Sequence, residues 1–209
     1  LEQGAQVTLV CTKRLAPLFT RSFPTADIKH REDVLEGAAT HSAADFQASF
    51  SHLGAHLRSE IAAFPTRPGY LKADHSVTET LRPKYLANSN DLLVGISWHS
   101  KNNDAEAEKS IPLALWGPVL RVPGVRFVSL QYGSVEDDVA SAKAATGVDV
   151  VVDPTVDPLA DIDRFAAQVA AMDLVITVSN TTAHVAGALG RPTWVLTPYS
   201  TGRIWYWFL

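Results

Sequence analysis

The sequence of 209 residues contains a single cysteine and a single methionine. One cysteine cannot close a disulfide within the chain. A stapled secreted scaffold is therefore excluded, and a reducing, cytoplasmic setting is expected. Cys11 lies in the strand-like VTLVC and reads as a buried strand residue rather than a nucleophile. No apolar run approaches the ~20 residues of a membrane-spanning helix. No charged start followed by an apolar stretch marks a signal peptide. The net charge is −4, with acids and bases interspersed, so nothing in the charge balance calls for nucleic acid.

Several chemistry-bearing motifs are also missing. There is no G-x-G-x-x-G, which weighs against a nicotinamide oxidoreductase. Walker A, H-E-x-x-H and G-x-S-x-G are absent as well. No Cys/His cluster has zinc spacing, and His41, His52 and His56 share one stretch without matching a metal motif. No metal and no cofactor are expected.

What is present is globular: 46% of residues are hydrophobic and 19% charged. That suffices for one large or two small domains with a real core. The chain opens at Leu1 and closes on the apolar IWYWFL. The expectation from both ends is a piece of a longer protein; the alternative is a buried terminal strand or helix.

Along the chain, residues 7–11 predict a strand, 15–21 a helix with Pro17 early in it, and 26–29 a short strand. Residues 33–90 are less regular. The stretch 46–64 has room for one helix, 64–73 is turn-rich, and 77–92 reads as helix or linker ending in Asn88-Ser89-Asn90. A boundary is expected there, dividing 1–88 from 89–209. Beyond it the rhythm is regular. Strands are predicted at 92–98, 125–131, 148–153, 173–178 and 192–196, and helices at 113–121, 134–146, 157–172 and 181–189. Acids open the 134–146 helix, where the dipole favours them, and Gly147 stops it. Ile162, Phe165, Ala166, Val169 and Met172 recur at helical spacing behind Asp161 and Asp163 in the first turn. Strands that alternate with helices and stay apolar throughout predict an α/β protein with a parallel sheet covered on both faces.

One stretch combines a buried strand, a polar turn and a small-residue helix: VITVSNTTAHVAGALGRP, residues 175–192. In open parallel sheets, ligands bind beyond the carboxyl ends of the strands. Ser179, Asn180, Thr181 and Thr182 stand at such an end. Asn180 suits an N-cap, and the first N–H groups of the helix lack intrahelical partners. With the helix dipole they make an anion site, to which the Thr181 and Thr182 hydroxyls add donors. Ala183, Ala186 and Gly187 let the helix lie close to the sheet. His184, one turn on, shares the face of Asn180. The plainer reading is an ordinary capped helix with a half-buried histidine. Two more loops are expected at the same rim. His99, Ser100 and Lys101 follow the first strand of this half, and Gln131 and Tyr132 follow the second. Taken alone, each loop reads as solvated polar chain.

Taken together, VGISWHS, KSIPLALWGPVL, VRFVSLQYG and the run from DIDRFAAQ to VLTPY resemble the C-terminal half of a GT-B type glycosyltransferase. The likeness is to glycosyltransferase family 9, the heptosyltransferases, and to bacterial glycosyltransferase-like domains that follow tetratricopeptide repeats. A more distant likeness is to O-linked N-acetylglucosamine transferases. The match covers residues 92–207, and 1–90 resemble the tail of the N-terminal Rossmann-like lobe. The resemblance implies a C-terminal lobe that binds a nucleotide-diphosphate sugar at Ser179, Asn180, Thr181, Thr182 and His184, with His99, Ser100 and Lys101 facing the donor. Gln131 is similar to the family's base-proximal position. It implies a metal-independent transfer, hexosyl or heptosyl in type, to an acceptor hydroxyl on a protein, glycan or lipid-linked sugar. The family usually carries an acid where Asn180 stands, and its glycine-rich start is not in this sequence. Asp45, His41 and His52 are candidates for the base by residue type alone. The alternative is a non-catalytic nucleotide-binding or scaffold module of a repeat-containing protein.

Overall fold

The computed structural model describes residues 4–35, 44–100, 109–199 and 207. Contacts divide the chain into two compact units, Leu1–Pro68 and Gly69–Leu209. Among the described residues no helix is long and apolar enough to cross a membrane.

The first unit is built on a β-α-β element. Strand β1 (Thr8–Cys11) pairs in parallel with β2 (Asp27–His30), from Thr8 opposite Asp27 to Cys11 opposite His30. A 3₁₀ turn at Lys13–Leu15 leads into α1 (Ala16–Ser22). Pro17 sits in the first turn of α1, where its missing N–H costs no intrahelical bond. Leu18 and Cys11 are buried. Then follow α2 (Arg31–Leu35) and α3 (Phe50–Leu57). The stretch 46–64 holds one α-helix, α3, followed by a 3₁₀ turn at Ile61–Ala63.

The second unit opens with α4 (His75–Leu86), capped by Asp74, whose carboxylate accepts from Val77 N at 3.1 Å. Five parallel strands follow: β3 (Leu92–Ser97), β4 (Val125–Ser129), β5 (Val150–Val151), β6 (Leu174–Val178) and β7 (Thr193–Leu196). Between them lie the short α5 (Gly117–Leu120), α6 (Glu136–Thr146), α7 (Ile162–Ala170) and α8 (Thr181–Ala188). The expected helix over 113–121 splits, because its first residues, Leu113–Trp116, form a 3₁₀ turn. The sheet order is β5-β4-β3-β6-β7. The chain therefore steps outward from β3 to β5, then crosses back to lay β6 on the other side of β3. The order reverses at the carboxyl ends of β3 and β6, the place where open α/β sheets bind ligands.

Side chains explain this packing. Val94, Ile96, Trp98, Phe127, Val150 and Ile176 form one buried cluster with Leu113, Trp116 and Leu120. On α7, Asp161 caps the helix by accepting from the N–H groups of Asp163 and Arg164, and Ile162, Phe165, Ala166 and Val169 are buried. Gly95 in β3 is required by close packing, since a Cβ there would collide with Leu130 and Met172.

The contacts place α4 with the second unit, whereas the sequence expectation draws the line after residue 88. The reason is a set of bonds from α4 to the sheet layer. Arg82 pairs with Asp173 at 2.9 Å and donates to Ala171 O. Lys84 Nζ and Tyr85 OH each donate to Asp153 Oδ2 at 2.8 Å. Thr155 donates its N–H and hydroxyl to Asp153 Oδ1, and Gln168 Nε2 donates to Tyr85 OH. Burial opposes ionisation of Asp153, but the hydrogen bonds from Lys84, Thr155 and Tyr85 outweigh it and bring the carboxyl down to about 2. Burial, reinforced by the Asp153 carboxylate, raises the Tyr85 phenol well above its ordinary value.

Candidate functional site

Three strand ends meet at this reversal point: Ser97 and Trp98 after β3, Leu130 and Gln131 after β4, and Ser179 and Asn180 after β6. All six residues are buried. Their polar groups bond mainly to one another.

Gln131 is an acceptor for three donors. Its Oε1 takes hydrogen bonds from Ser97 Oγ at 2.9 Å, Trp98 N at 2.9 Å and His99 N at 3.0 Å. Asn180 works in both directions. Its Oδ1 accepts from Thr182 N at 2.9 Å, which makes it the N-cap of α8. Its Nδ2 donates to Ser97 Oγ at 2.8 Å and to His99 O at 3.1 Å. Thr182 N has a proton to give and His99 O has none, so the orientation of the Asn180 amide is fixed by the backbone. The Ser97 hydroxyl passes its own proton to Gln131 while accepting from Asn180. A closed circuit of neutral groups thus ties β3, β4 and β6 together at the rim.

The candidate donor-contacting residues divide accordingly. Asn180 has both side-chain polar atoms committed inside the circuit, whereas Gln131 commits Oε1 there and turns Nε2 to Tyr132 O at 3.3 Å. Thr182 is buried with its hydroxyl 3.4 Å from Leu130 O, so it faces the sheet rather than the rim. Thr181 is exposed at the first helical position. Its N–H and that of Ala183 have no intrahelical partner. Ser179 is buried, and its hydroxyl accepts from Trp207 Nε1 at 3.0 Å. The Trp207 ring also lies against His184, with centroids 5.1 Å apart and planes at 42°. Burial pushes the His184 imidazole below its ordinary pKa. The His99 ring stands 5.5 Å from that of Tyr132. Ser100 is buried, with its N–H on Ser110 Oγ at 3.2 Å. Lys101 lies outside the described residues, as does His41. Asp45 and His52 are exposed in the first unit.

One further residue carries no flag in the sequence. The loop after β3 leaves at Trp98 and returns at Ile111, whose N–H donates to Trp98 O at 2.9 Å. Lys109 sits on this return. It is only 9% exposed, and among the described residues no side chain pairs with its ammonium group. The only signal is KSIP closing a polar loop, and it reads like any solvated lysine until the loop ends are seen to meet.

No family model matches the chain. A curated protein, Protein FlbA of Caulobacter vibrioides, is 37% identical over 205 residues, which cover 93% of this chain and 34% of its own length. The chain thus spans about a third of that relative. Among solved structures it is similar to the glycosyl transferase family 9 protein from Veillonella parvula DSM 2008, with a TM-score of 0.52 and 14% identity, covering 96% of this chain and 60% of that one. It also matches E. coli heptosyltransferase WaaC with ADP-2-deoxy-2-fluoro heptose, with a TM-score of 0.43 and 16% identity, over 79% of this chain and 51% of that one. The first of these likenesses carries the structural conclusion: this chain has the α/β fold of a GT-B type glycosyltransferase.

Proposed function

We propose that the chain is the donor-binding part of a glycosyltransferase, which moves a hexosyl or heptosyl group from a nucleotide diphosphate to an acceptor hydroxyl without a metal. The observation that carries this reading is the meeting of three strand ends at the sheet's reversal point, beside the uncapped N–H groups of α8. A departing diphosphate gains negative charge in the transition state. Fixed N–H donors at Thr181 and Ala183, the exposed Thr181 hydroxyl and the Lys109 ammonium would stabilise it with little reorganisation. Lys101 would add a second cation. The His99 and Tyr132 rings offer a surface for a base or ribose, and His184 a polar group one turn along the helix. The acceptor is a hydroxyl on a protein, glycan or lipid-linked sugar. Its base is not assigned, and Asp45, His41 and His52 stay candidates by type.

A second reading has its own support. Asn180 stands where a carboxylate is usual, and Trp207 engages both Ser179 and His184. A non-catalytic module that holds a nucleotide, or none, fits those two facts.

The test is a thermal-shift titration with UDP, GDP, ADP, TDP and CMP and their sugar conjugates, followed by a transfer assay on the longer protein. A ligand at ~100 times its Kd stabilises by about 2.7 kcal/mol. Lys109→Met is expected to weaken diphosphate affinity about tenfold, the effect of one charge-assisted contact. No shift with any diphosphate overturns the donor reading. Binding without transfer selects the module.

A further inference from the structure

We infer that Asn180 and Gln131 are positioning residues with opposite electrical requirements: residue 180 must be a neutral group that both donates and accepts, whereas residue 131 tolerates a carboxylate. The functional half of this inference rests on the donor-site reading above; the structural half does not.

The argument is a count of protons. At position 180, one side-chain atom meets Thr182 N–H and the Thr177 hydroxyl, and the other meets His99 O and Ser97 Oγ. A carboxylate keeps the first pair of bonds and loses the second pair. It then sets a negative oxygen against the His99 carbonyl. Ser97 has one proton, and giving it to residue 180 takes it from Gln131 Oε1. One acceptor is left facing another whichever way the hydroxyl turns. The α8 dipole favours an anion at its N-cap. The cost of a buried unsatisfied acceptor pair is larger than that gain, so repulsion wins. Once protonated, the carboxyl of Asn180→Asp regains one of the amide's two donors, which restores a bond to either His99 O or Ser97 Oγ but not to both.

At position 131 the count runs the other way. Oε1 receives one hydroxyl and two backbone N–H groups. A carboxylate that accepts two or three such donors is stabilised in its charged form. The Gln131 Nε2 contributes a single contact, 3.3 Å to Tyr132 O. A glutamate gives up that one bond and strengthens three.

The two substitutions make the same change, amide to acid, yet between pH 5 and pH 8 only Asn180→Asp should depend on pH, because a carboxyl stabilised in its charged form at position 131 takes up its proton below that range. Other titratable groups face the circuit: His99 on the β3 end, Tyr132 after β4, His184 on α8, Lys109 on the loop return, and Asp138, which accepts from Trp98 Nε1 at 2.8 Å. Reading each variant as its difference from the parent at the same pH cancels their contributions.

The experiment measures the Tm of the 209-residue chain, Asn180→Asp and Gln131→Glu from pH 5 to pH 8, and the affinity of each for ADP, UDP and GDP. Asn180→Asp is expected to lie about 4–8 °C below the parent at pH 8 and to close part of that gap by pH 5. Gln131→Glu is expected to stay within about 2 °C of the parent at pH 8 and to keep that difference down to pH 5. Any diphosphate affinity should be lost about tenfold in Asn180→Asp at pH 8 and partly recovered at pH 5. A purely structural defect would not recover with protonation. Equal pH slopes for the two variants overturn the inference, and so does an Asn180→Asp protein that remains as unstable or unfolded at pH 5 as at pH 8. If the parent binds no diphosphate, the donor reading fails, while the two Tm slopes still decide the positioning claim.

Discussion

Two buried polar networks hold the second unit together, and they differ in what they are made of. At the strand ends, Ser97, Gln131, Asn180 and Thr182 share protons among neutral groups. Behind α4, an ionised Asp153 gathers Lys84, Tyr85 and Thr155 around one charge. Both join segments distant in sequence, and both bury their central side chain. The charged network fastens a helix to the sheet layer through one residue on which every bond converges. The neutral one spreads its bonds over two amides and places no carboxylate of its own beside the α8 N–H groups. That arrangement leaves the first α8 N–H groups without an internal acid competing for them.

The contrast can be broken most strongly at Asp153. Asp153→Ala leaves Tyr85 OH, the Thr155 donors and Lys84 without their acceptor. The expected loss is about 3 kcal/mol, read as a shift in the urea midpoint at pH 7 with m unchanged. Lys84 is half-exposed and returns to water, which keeps the loss from being larger.

The next effect sharpens the contrast through pH. A carboxyl held down at about 2 in the folded protein, against its ordinary 3.8, contributes stability that is fully present above about pH 4. It is lost as pH falls through about 2, because the unfolded chain binds the proton first. The full swing is about 2 kcal/mol. Asp153→Asn should flatten this acid limb of stability against pH. A limb as steep as the parent's would show that other carboxylates carry it. The neutral network contributes no slope of its own.

The smallest effect is at Trp207. Trp207→Phe removes one neutral hydrogen bond to Ser179 and keeps an aromatic ring beside His184. A fall of about 1 kcal/mol or less is expected. The His184 titration, followed by proton NMR, should barely move, because it is burial rather than the indole N–H that depresses it.

Much of this architecture is legible from local pattern. The apolar strands at 92–98 and 173–178, the α7 face from Ile162 to Val169, the Asp161 and Asn180 caps and the Gly147 stop each depend on neighbours within a turn or two. β5 is less so: VDVVVD reads as six strand residues, yet only Val150–Val151 pair, since β5 lies at the sheet edge with β4 alone beside it. At the site, residue types are legible and their tasks are not. Gln131 and Asn180 read as groups for a ligand, but their partners lie 33 and 83 residues away. Thr182 and Thr181 look alike in sequence, and only the helix's rotation against Leu130 separates them. Lys109 becomes conspicuous once the loop ends at Trp98 and Ile111 are seen to meet.

The strand order also has a kinetic consequence. Strand β3 finds β4 after one short crossover, but β6 reaches it only once the intervening chain has folded and come back, pairing Val94 with Leu174. Closing so long a loop is slow, because its entropy is lost before the contacts repay it. The half formed by β3, β4 and β5 can therefore assemble while Asn180 is still at large. During that interval Ser97 lacks its second partner. Completion of the Asn180 circuit should appear in the last refolding phase, together with the slowest recovery of native signal rather than with the bulk of the secondary structure.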